Sequence, residues 1–162
     1  MELDRRNFVA AAALAACGCL AGCGATGDGG SGDDSDGAKL PPEVSPNGIA
    51  EVGTLADYPA EGVYDALAAT HRVIVVRKAG RVYALRSICT HKTCLLEPSG
   101  RGLTCPCHGS RFELDGTVVK GPATRPLWHY AISKDPAGRL VVDKSRRFRP
   151  DASDPAMFVA VA

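Results

Sequence analysis

The sequence predicts a small all-β domain, a sandwich or barrel with two loops rich in Cys and His at one end. Three observations support this class. From Ile49 onward, short β-branched or alternating apolar runs are separated by turns rich in Gly, Pro and Asp. No helical spacing of apolar residues persists beyond a few positions, and residues 64–69 could form at most one helical turn. Two Cys-His stretches, residues 89–94 and 105–110, interrupt the strand pattern.

The strand pattern consists of three hairpins. A turn at an Asp-Gly pair, or at a short Gly-containing segment between two apolar runs, is typical of antiparallel neighbours. The predicted pairs are 72–77 with 82–86, 111–114 with 117–119 across Asp115-Gly116, and 127–133 with 139–143.

Composition divides the chain into four segments. Residues 1–23 form a targeting segment, and residues 24–48 form a disordered linker of Gly, Ser, Asp and Pro with too few apolar residues for a core. Residues 49–148 form the folded domain, and residues 149–162 form a tail that either packs back or docks a partner.

The N-terminal segment resembles an export signal. Arg5-Arg6 stands before an apolar run, Phe8 to Leu20, which is shorter than the roughly 20 residues that span a bilayer. The run ends in Leu20-Ala21-Gly22-Cys23, which resembles a lipobox, so Cys23 is expected to carry lipid. The alternative is a signal peptide or uncleaved anchor with a chance cysteine. The lipobox predicts a lipid-anchored protein at the outer, periplasmic face of a bacterial cytoplasmic membrane.

The charge balance gives no indication of a nucleic-acid partner. Residues 49–162 carry 16 Lys or Arg against 11 Asp or Glu, and no basic run is interleaved with aromatic residues.

The two Cys-His stretches carry the chemistry. Residues 89–94 are C-T-H-K-T-C and residues 105–110 are C-P-C-H-G-S, so each offers one Cys-His pair and one further cysteine. Two thiolates and two imidazoles suit a binuclear iron–sulfur centre in which one iron takes both sulfurs and the other both nitrogens.

The alternatives are a zinc site or a cluster held by four cysteines. Structural zinc ligands are usually paired at spacings of two to four residues, and the Cys89-x-His91 pair is tighter than that. His71 and His129 stand alone in strand-like runs and are interpreted as surface or core histidines rather than ligands.

Both stretches closely resemble the cluster-binding loops of Rieske [2Fe–2S] proteins. The resemblance covers about residues 70–143, and it is to the high-potential, disulfide-containing type found in cytochrome bc complexes and in arsenite oxidase. It implies a Rieske-type fold with Cys89 and Cys105 as thiolate ligands. It implies His91 and His108 as imidazole ligands.

The same resemblance implies a disulfide and a third loop. Cys94 is expected to pair with Cys107, which clips the two stretches together and fits an oxidising compartment. Residues 121–123 and 126–127 are similar to the proline loop that covers the cluster.

Two positions are expected to tune the potential. Ser110 matches the family serine that bonds a bridging sulfide, whereas Phe112 stands where high-potential relatives carry a hydrogen-bonding tyrosine. Lys92 departs from the apolar residue that helps the tip enter a quinol pocket.

The resemblance therefore implies an electron-transfer protein, the iron–sulfur subunit of a membrane quinol–cytochrome c reductase, with cytochrome b or c as partner and quinol as a candidate donor. Lys92 and the lipobox favour the alternatives, the Rieske subunit of a periplasmic molybdenum oxidoreductase or a free-standing carrier. An oxygenase ferredoxin is disfavoured by the spare cysteine pair and the export signal.

Overall fold

The computed structural model describes Leu40, residues 42–45 and residues 48–161. These residues form two antiparallel sheets, which confirms the all-β prediction. Their strands are β1 (Ile49–Thr54), β2 (Gly62–Tyr64), β3 (Val73–Lys78), β4 (Arg81–Arg86), β5 (Glu97–Ser99), β6 (Gly102–Thr104), β7 (Arg111–Glu113), β8 (Val118–Lys120), β9 (His129–Lys134), β10 (Arg139–Phe148) and β11 (Val159–Ala160). One short helix, α1 (Ala68–His71), and two 3-10 turns, Leu55–Asp57 and Pro155–Met157, complete the described elements.

The large sheet has the order β1-β10-β9-β4-β3-β2, with β11 also paired to β4, and curls into a half-barrel. Its strand β3, which lies next to the edge strand β2, is buried on both faces. Because successive side chains of a strand point to opposite faces, Val73 and Val75 pack into one apolar cluster, while Ile74 and Val76 pack into another that includes Phe112 of the small sheet. This double burial explains the unbroken β-branched run.

The small sheet has the order β5-β6-β7-β8 and positions the chemistry. We call residues 89–94, between β4 and β5, the first Cys-His loop. Residues 105–110, between β6 and β7, form the second Cys-His loop, and residues 121–127, between β8 and β9, form the proline loop.

The predicted hairpins are present with shifted ends. The first turn is only Ala79-Gly80, with φ of 51° and 68°, so the flanking residues 78 and 81 extend the strands. Asp115-Gly116 joins β7 to β8 as predicted. Gly116 allows close approach of the proline loop, because a Cβ there would lie 3.0 Å from the Cβ of Leu127.

The prediction of a helical turn over residues 64–69 was wrong for the first of these residues. Tyr64 ends β2, paired with Val75, and its ring packs edge-on against Tyr58 at 4.8 Å. The helical turn lies later, at α1, and places His71 at a helix end rather than in a strand. Pairing to β3 therefore overrides the local helical tendency.

Both segments flanking the domain make contacts with it. The tail packs back: β11 pairs with β4, and Met157 is buried. On the other side, Glu43 forms a 2.6 Å ion pair with Lys144, whose side chain is buried, and the Val44 N–H donates to the Thr70 carbonyl oxygen at 2.8 Å. The four segment limits remain predictions, but Glu43 and Val44, which lie ahead of Ile49, contact the folded domain.

Residues 1–39, which include the predicted signal and Cys23, lie outside the described residues. Within the described part, no helix has the length and hydropathy needed to cross a membrane.

Candidate metal centre

Backbone hydrogen bonds close the first Cys-His loop at its base. An antiparallel bridge joins Ile88 to Leu95, and the Cys89 N–H donates to the Cys94 carbonyl oxygen at 2.9 Å. The N–H of His91 points back at the Cys89 Sγ, 3.5 Å away. This arrangement buries the Cys89 thiol while leaving the His91 side chain exposed.

The second Cys-His loop has the same division of roles. The Cys105 N–H donates to the Ser110 carbonyl oxygen at 2.8 Å, and the Gly109 N–H donates to the Cys105 carbonyl oxygen at 2.9 Å. Gly109 has a φ of 73°, which glycine adopts without a Cβ penalty. Cys105 is buried and His108 is exposed.

The two free thiols of the described residues, Cys89 and Cys105, are neighbours that interact electrostatically. Burial raises the pKa of the Cys105 thiol, and the neighbouring Cys89 raises it further. The backbone N–H groups of Cys107 and His108 act in the opposite direction by bonding the sulfur. A buried thiol pair with N–H donors aimed at one sulfur suits thiolates that bind a metal, because the metal supplies the missing positive charge.

The imidazoles of His91 and His108 form a second pair at the protein surface. Their ring centroids are 4.9 Å apart and the planes are nearly perpendicular, at 83°. Sequence-distant histidines are thus brought together on the solvent side of the buried thiols.

The predicted disulfide between Cys94 and Cys107 is present. It joins the two Cys-His loops, with Cα atoms 6.5 Å apart. The sulfurs of Cys94, Cys105 and Cys107 lie within 4.8 Å of one another, but disulfide sulfurs carry no thiolate charge. Of these three, only Cys105 is a metal ligand candidate.

The proline loop covers the site from a third side and is bonded to both Cys-His loops. The Thr90 hydroxyl donates to the Arg125 carbonyl oxygen at 2.6 Å, and the Ser110 hydroxyl oxygen accepts from the Ala123 N–H at 3.0 Å. The Leu127 N–H donates to the Gly116 carbonyl oxygen at 2.9 Å. Two hydroxyls thus fix the third wall of the site.

Ser110 and Phe112 differ in what they can offer a metal centre. Ser110 is fully buried, and since its oxygen accepts from Ala123, its own proton remains available for an acceptor inside the site. Phe112 is buried in the same apolar cluster as Cys89 and Cys105 but has no hydroxyl.

The donor set fits a Rieske centre. Two buried thiols, two exposed imidazoles and a buried hydroxyl with an uncommitted proton match the mixed sulfur and nitrogen ligation of such a cluster. A site with four cysteines does not fit, since two of the cysteines are paired in the disulfide.

The comparison with protein families decides the identity. Residues 49–131, more than half of the chain, match the model of the Rieske [2Fe-2S] domain. The chain belongs to the Rieske [2Fe–2S] domain family. Its cofactor is accordingly a [2Fe–2S] cluster.

The Rieske domain is similar to iron–sulfur subunits of cytochrome b6-f complexes. It is 38% identical over 73 residues to the cytochrome b6-f complex iron-sulfur subunit of Chlorobaculum tepidum, covering 44% of this chain and 40% of that protein. It is 32% identical over 97 residues to the protein of the same name from Prochlorococcus marinus strain AS9601, covering 55% of this chain and 54% of that protein. The chain therefore spans about half, or less, of these relatives.

Among solved structures, the crystal structure of a cyanobacterial plasma membrane Rieske protein from Synechocystis PCC 6803 is 32% identical. The match covers 57% of this chain and 97% of that chain, with a TM-score of 0.45.

Sequence reasoning missed one residue that acts through a hydrogen bond. Thr90 holds the proline loop, and its place between Cys89 and His91 was the available signal. His129 donates from Nε2 to the Asp115 carbonyl oxygen at 2.7 Å and stacks on Tyr83, which agrees with a core histidine.

Proposed function

We propose that this chain transfers single electrons through a [2Fe–2S] cluster held by Cys89, Cys105, His91 and His108. The observation that supports this most strongly is the pairing of two buried free thiols with two exposed imidazoles 4.9 Å apart, clipped by a disulfide. When bound, the cluster supplies one-electron redox chemistry.

The cysteines, the histidines and Ser110 have different roles in this proposal. Cys89 and Cys105 hold the buried side and keep it from water. His91 and His108 hold the exposed side, where their rings lie at the protein surface. The Ser110 hydroxyl donates into the site and favours the more negative state.

The proposed setting is the iron–sulfur subunit of a membrane quinol–cytochrome c reductase-type complex. The names of the relatives and the exposed histidines support a cytochrome partner and a quinol donor. Lys92, exposed at the tip, favours the second candidate, a periplasmic carrier or molybdenum-enzyme subunit, because a charge opposes entry into an apolar quinol pocket.

Affinity purification of the tagged full chain from native membranes distinguishes the two settings. The cytochrome proposal predicts a co-purifying subunit with the absorption bands of haem b, and reduction of the Rieske centre by added quinol. Co-purification of a molybdopterin subunit, with no response to quinol, would contradict the proposal and support the second candidate.

The proposed location is the outer face of the cytoplasmic membrane, with lipid on Cys23. The twin-arginine pair and the Cys94–Cys107 disulfide support it, since disulfides persist in oxidising compartments.

Mass spectrometry of the mature N-terminus should find lipid on Cys23, and Cys23→Ser should abolish the mass of the lipid-modified form. Replacing Arg5 and Arg6 with lysine should retain the protein in the cytosol. An unmodified, full-length N-terminus in the wild type would overturn the lipid anchor.

A further inference from the structure

A pocket lined by cations lies beside the first Cys-His loop. Its volume is about 310 Å³, and its walls include Arg86, Arg125 and Arg149 together with Trp128 and Lys92. No acidic residue lines it. Four positive side chains therefore converge on one concave space next to the loop that carries His91.

These cations lack carboxylate partners in the described part of the chain. The ion pairs found there use Arg139 and Lys144, whereas Arg86, Arg125 and Arg149 take part in none. Uncompensated positive charge in a concave site concentrates anions, because the low-dielectric walls focus the field.

Two of the arginines belong to an ordered wall. The Arg149 guanidinium stacks 3.7 Å from the ring centroid of Trp128 and donates to the Pro126 carbonyl oxygen at 3.4 Å. The backbone N–H of Arg86 donates to the Trp128 carbonyl oxygen at 2.9 Å, which fixes the end of β4 against the same tryptophan. A stacked guanidinium loses less rotamer freedom on binding a ligand than a free side chain does.

We propose that this pocket binds an oxyanion with two or more negative charges, and that its occupancy is linked to the redox state of the neighbouring centre. Guanidinium groups match oxyanions through paired, charge-assisted hydrogen bonds, which accounts for the choice of ligand class. The linkage rests on the proposed function, because it requires His91 to be a ligand of the redox centre.

The direction of the linkage follows from charge. Reduction adds one negative charge close to His91, so the reduced protein repels an anion that the oxidised protein holds. Since coupling between two sites is reciprocal, a bound anion lowers the midpoint potential. If the oxidised protein binds the anion tenfold more tightly, saturation lowers the midpoint by about 59 mV for a one-electron couple.

Calorimetric titration of the oxidised full-length holoprotein with sodium sulfate tests the binding site, with sodium chloride at matched ionic strength as the reference. We expect saturable sulfate binding, weakened at least about tenfold in the Arg125→Gln, Arg149→Gln double variant. Arg139→Gln is a control for the loss of a cation away from the pocket, since Arg139 lies at the opposite end of β10 from Arg149, and this variant should bind as the wild type does. Equal affinity in wild type and double variant would overturn the site.

Film voltammetry of the same proteins tests the linkage. We expect sulfate to lower the wild-type midpoint and to leave that of the double variant unmoved, with the visible spectrum confirming an intact centre in each. Saturable binding without any shift of the midpoint would overturn the linkage. Sulfate binding by a protein that lacks the Rieske spectrum would count against the proposed function while still supporting the pocket, so the two failures are distinguishable.

Discussion

Replacing Ser110 with alanine removes one hydroxyl that has two roles. Ser110 is fully buried, and its oxygen accepts from the Ala123 N–H at 3.0 Å. The variant leaves that buried N–H without its acceptor, at a cost of about 1–3 kcal/mol in the free energy of unfolding. It also removes the hydroxyl proton that, in the proposed function, is donated to an acceptor inside the site. A hydrogen bond to a charged acceptor contributes about 1.5–3 kcal/mol, which corresponds to about 65–130 mV for one electron.

The expected result is a midpoint lowered by up to that amount, because the lost donor favoured the more negative state. Film voltammetry measures the midpoint, and denaturant unfolding measures the stability. Thr90→Ala is the control: it removes the other hydroxyl that holds the proline loop, from Thr90 to the Arg125 carbonyl oxygen, but leaves Ser110 in place. Equal midpoint shifts in Ser110→Ala and Thr90→Ala would refute the direct role of the Ser110 hydroxyl and assign the effect to a loosened loop.

Three further predictions concern the surrounding residues. Phe112→Tyr should raise the midpoint if its new hydroxyl reaches the sulfur of a cysteine in the same apolar cluster. An unchanged midpoint, with the free energy of unfolding lowered by about 1–3 kcal/mol, would instead show that the hydroxyl is buried and unpaired. Cys107→Ala opens a disulfide between residues 13 apart and should cost about 3 kcal/mol, with loss of iron on standing; titration of both wild-type cysteines as free thiols would contradict this. Burial lowers the pKa of His129, so the unfolded chain binds the proton more readily and stability should decline as pH falls below about 6.5. His129→Gln should flatten that decline in unfolding curves measured at pH 7.5 and 5.5, and an equal decline in both proteins would assign it to other groups.

The features that could be predicted from sequence are those that depend on local pattern. Residues 73–76 had to be a strand because four β-branched residues in succession suit a strand buried on both faces. The Asp115-Gly116 turn followed from its residue types, since Gly116 has a φ of 88°. The disulfide followed from the resemblance, which supplied a pairing that spacing alone leaves open.

The features that could not be predicted depend on residues far apart in the chain. Lys144 is buried because Glu43, about a hundred positions earlier, neutralises it. The cationic pocket combines the end of β4, the proline loop and the start of the tail, and no local pattern relates Arg86 to Arg149. Tyr64 joins β2 only because β3 is there to pair with it.

The measurement that tests the central claim most directly is metal and sulfide analysis of the purified holoprotein, combined with EPR of its reduced form. The account predicts two irons and two acid-labile sulfides per chain, with the spectrum of mixed histidine and cysteine ligation, all lost in His91→Ala and in His108→Ala but retained in His71→Ala. Stoichiometric zinc without sulfide, in protein produced with ample iron, would contradict it.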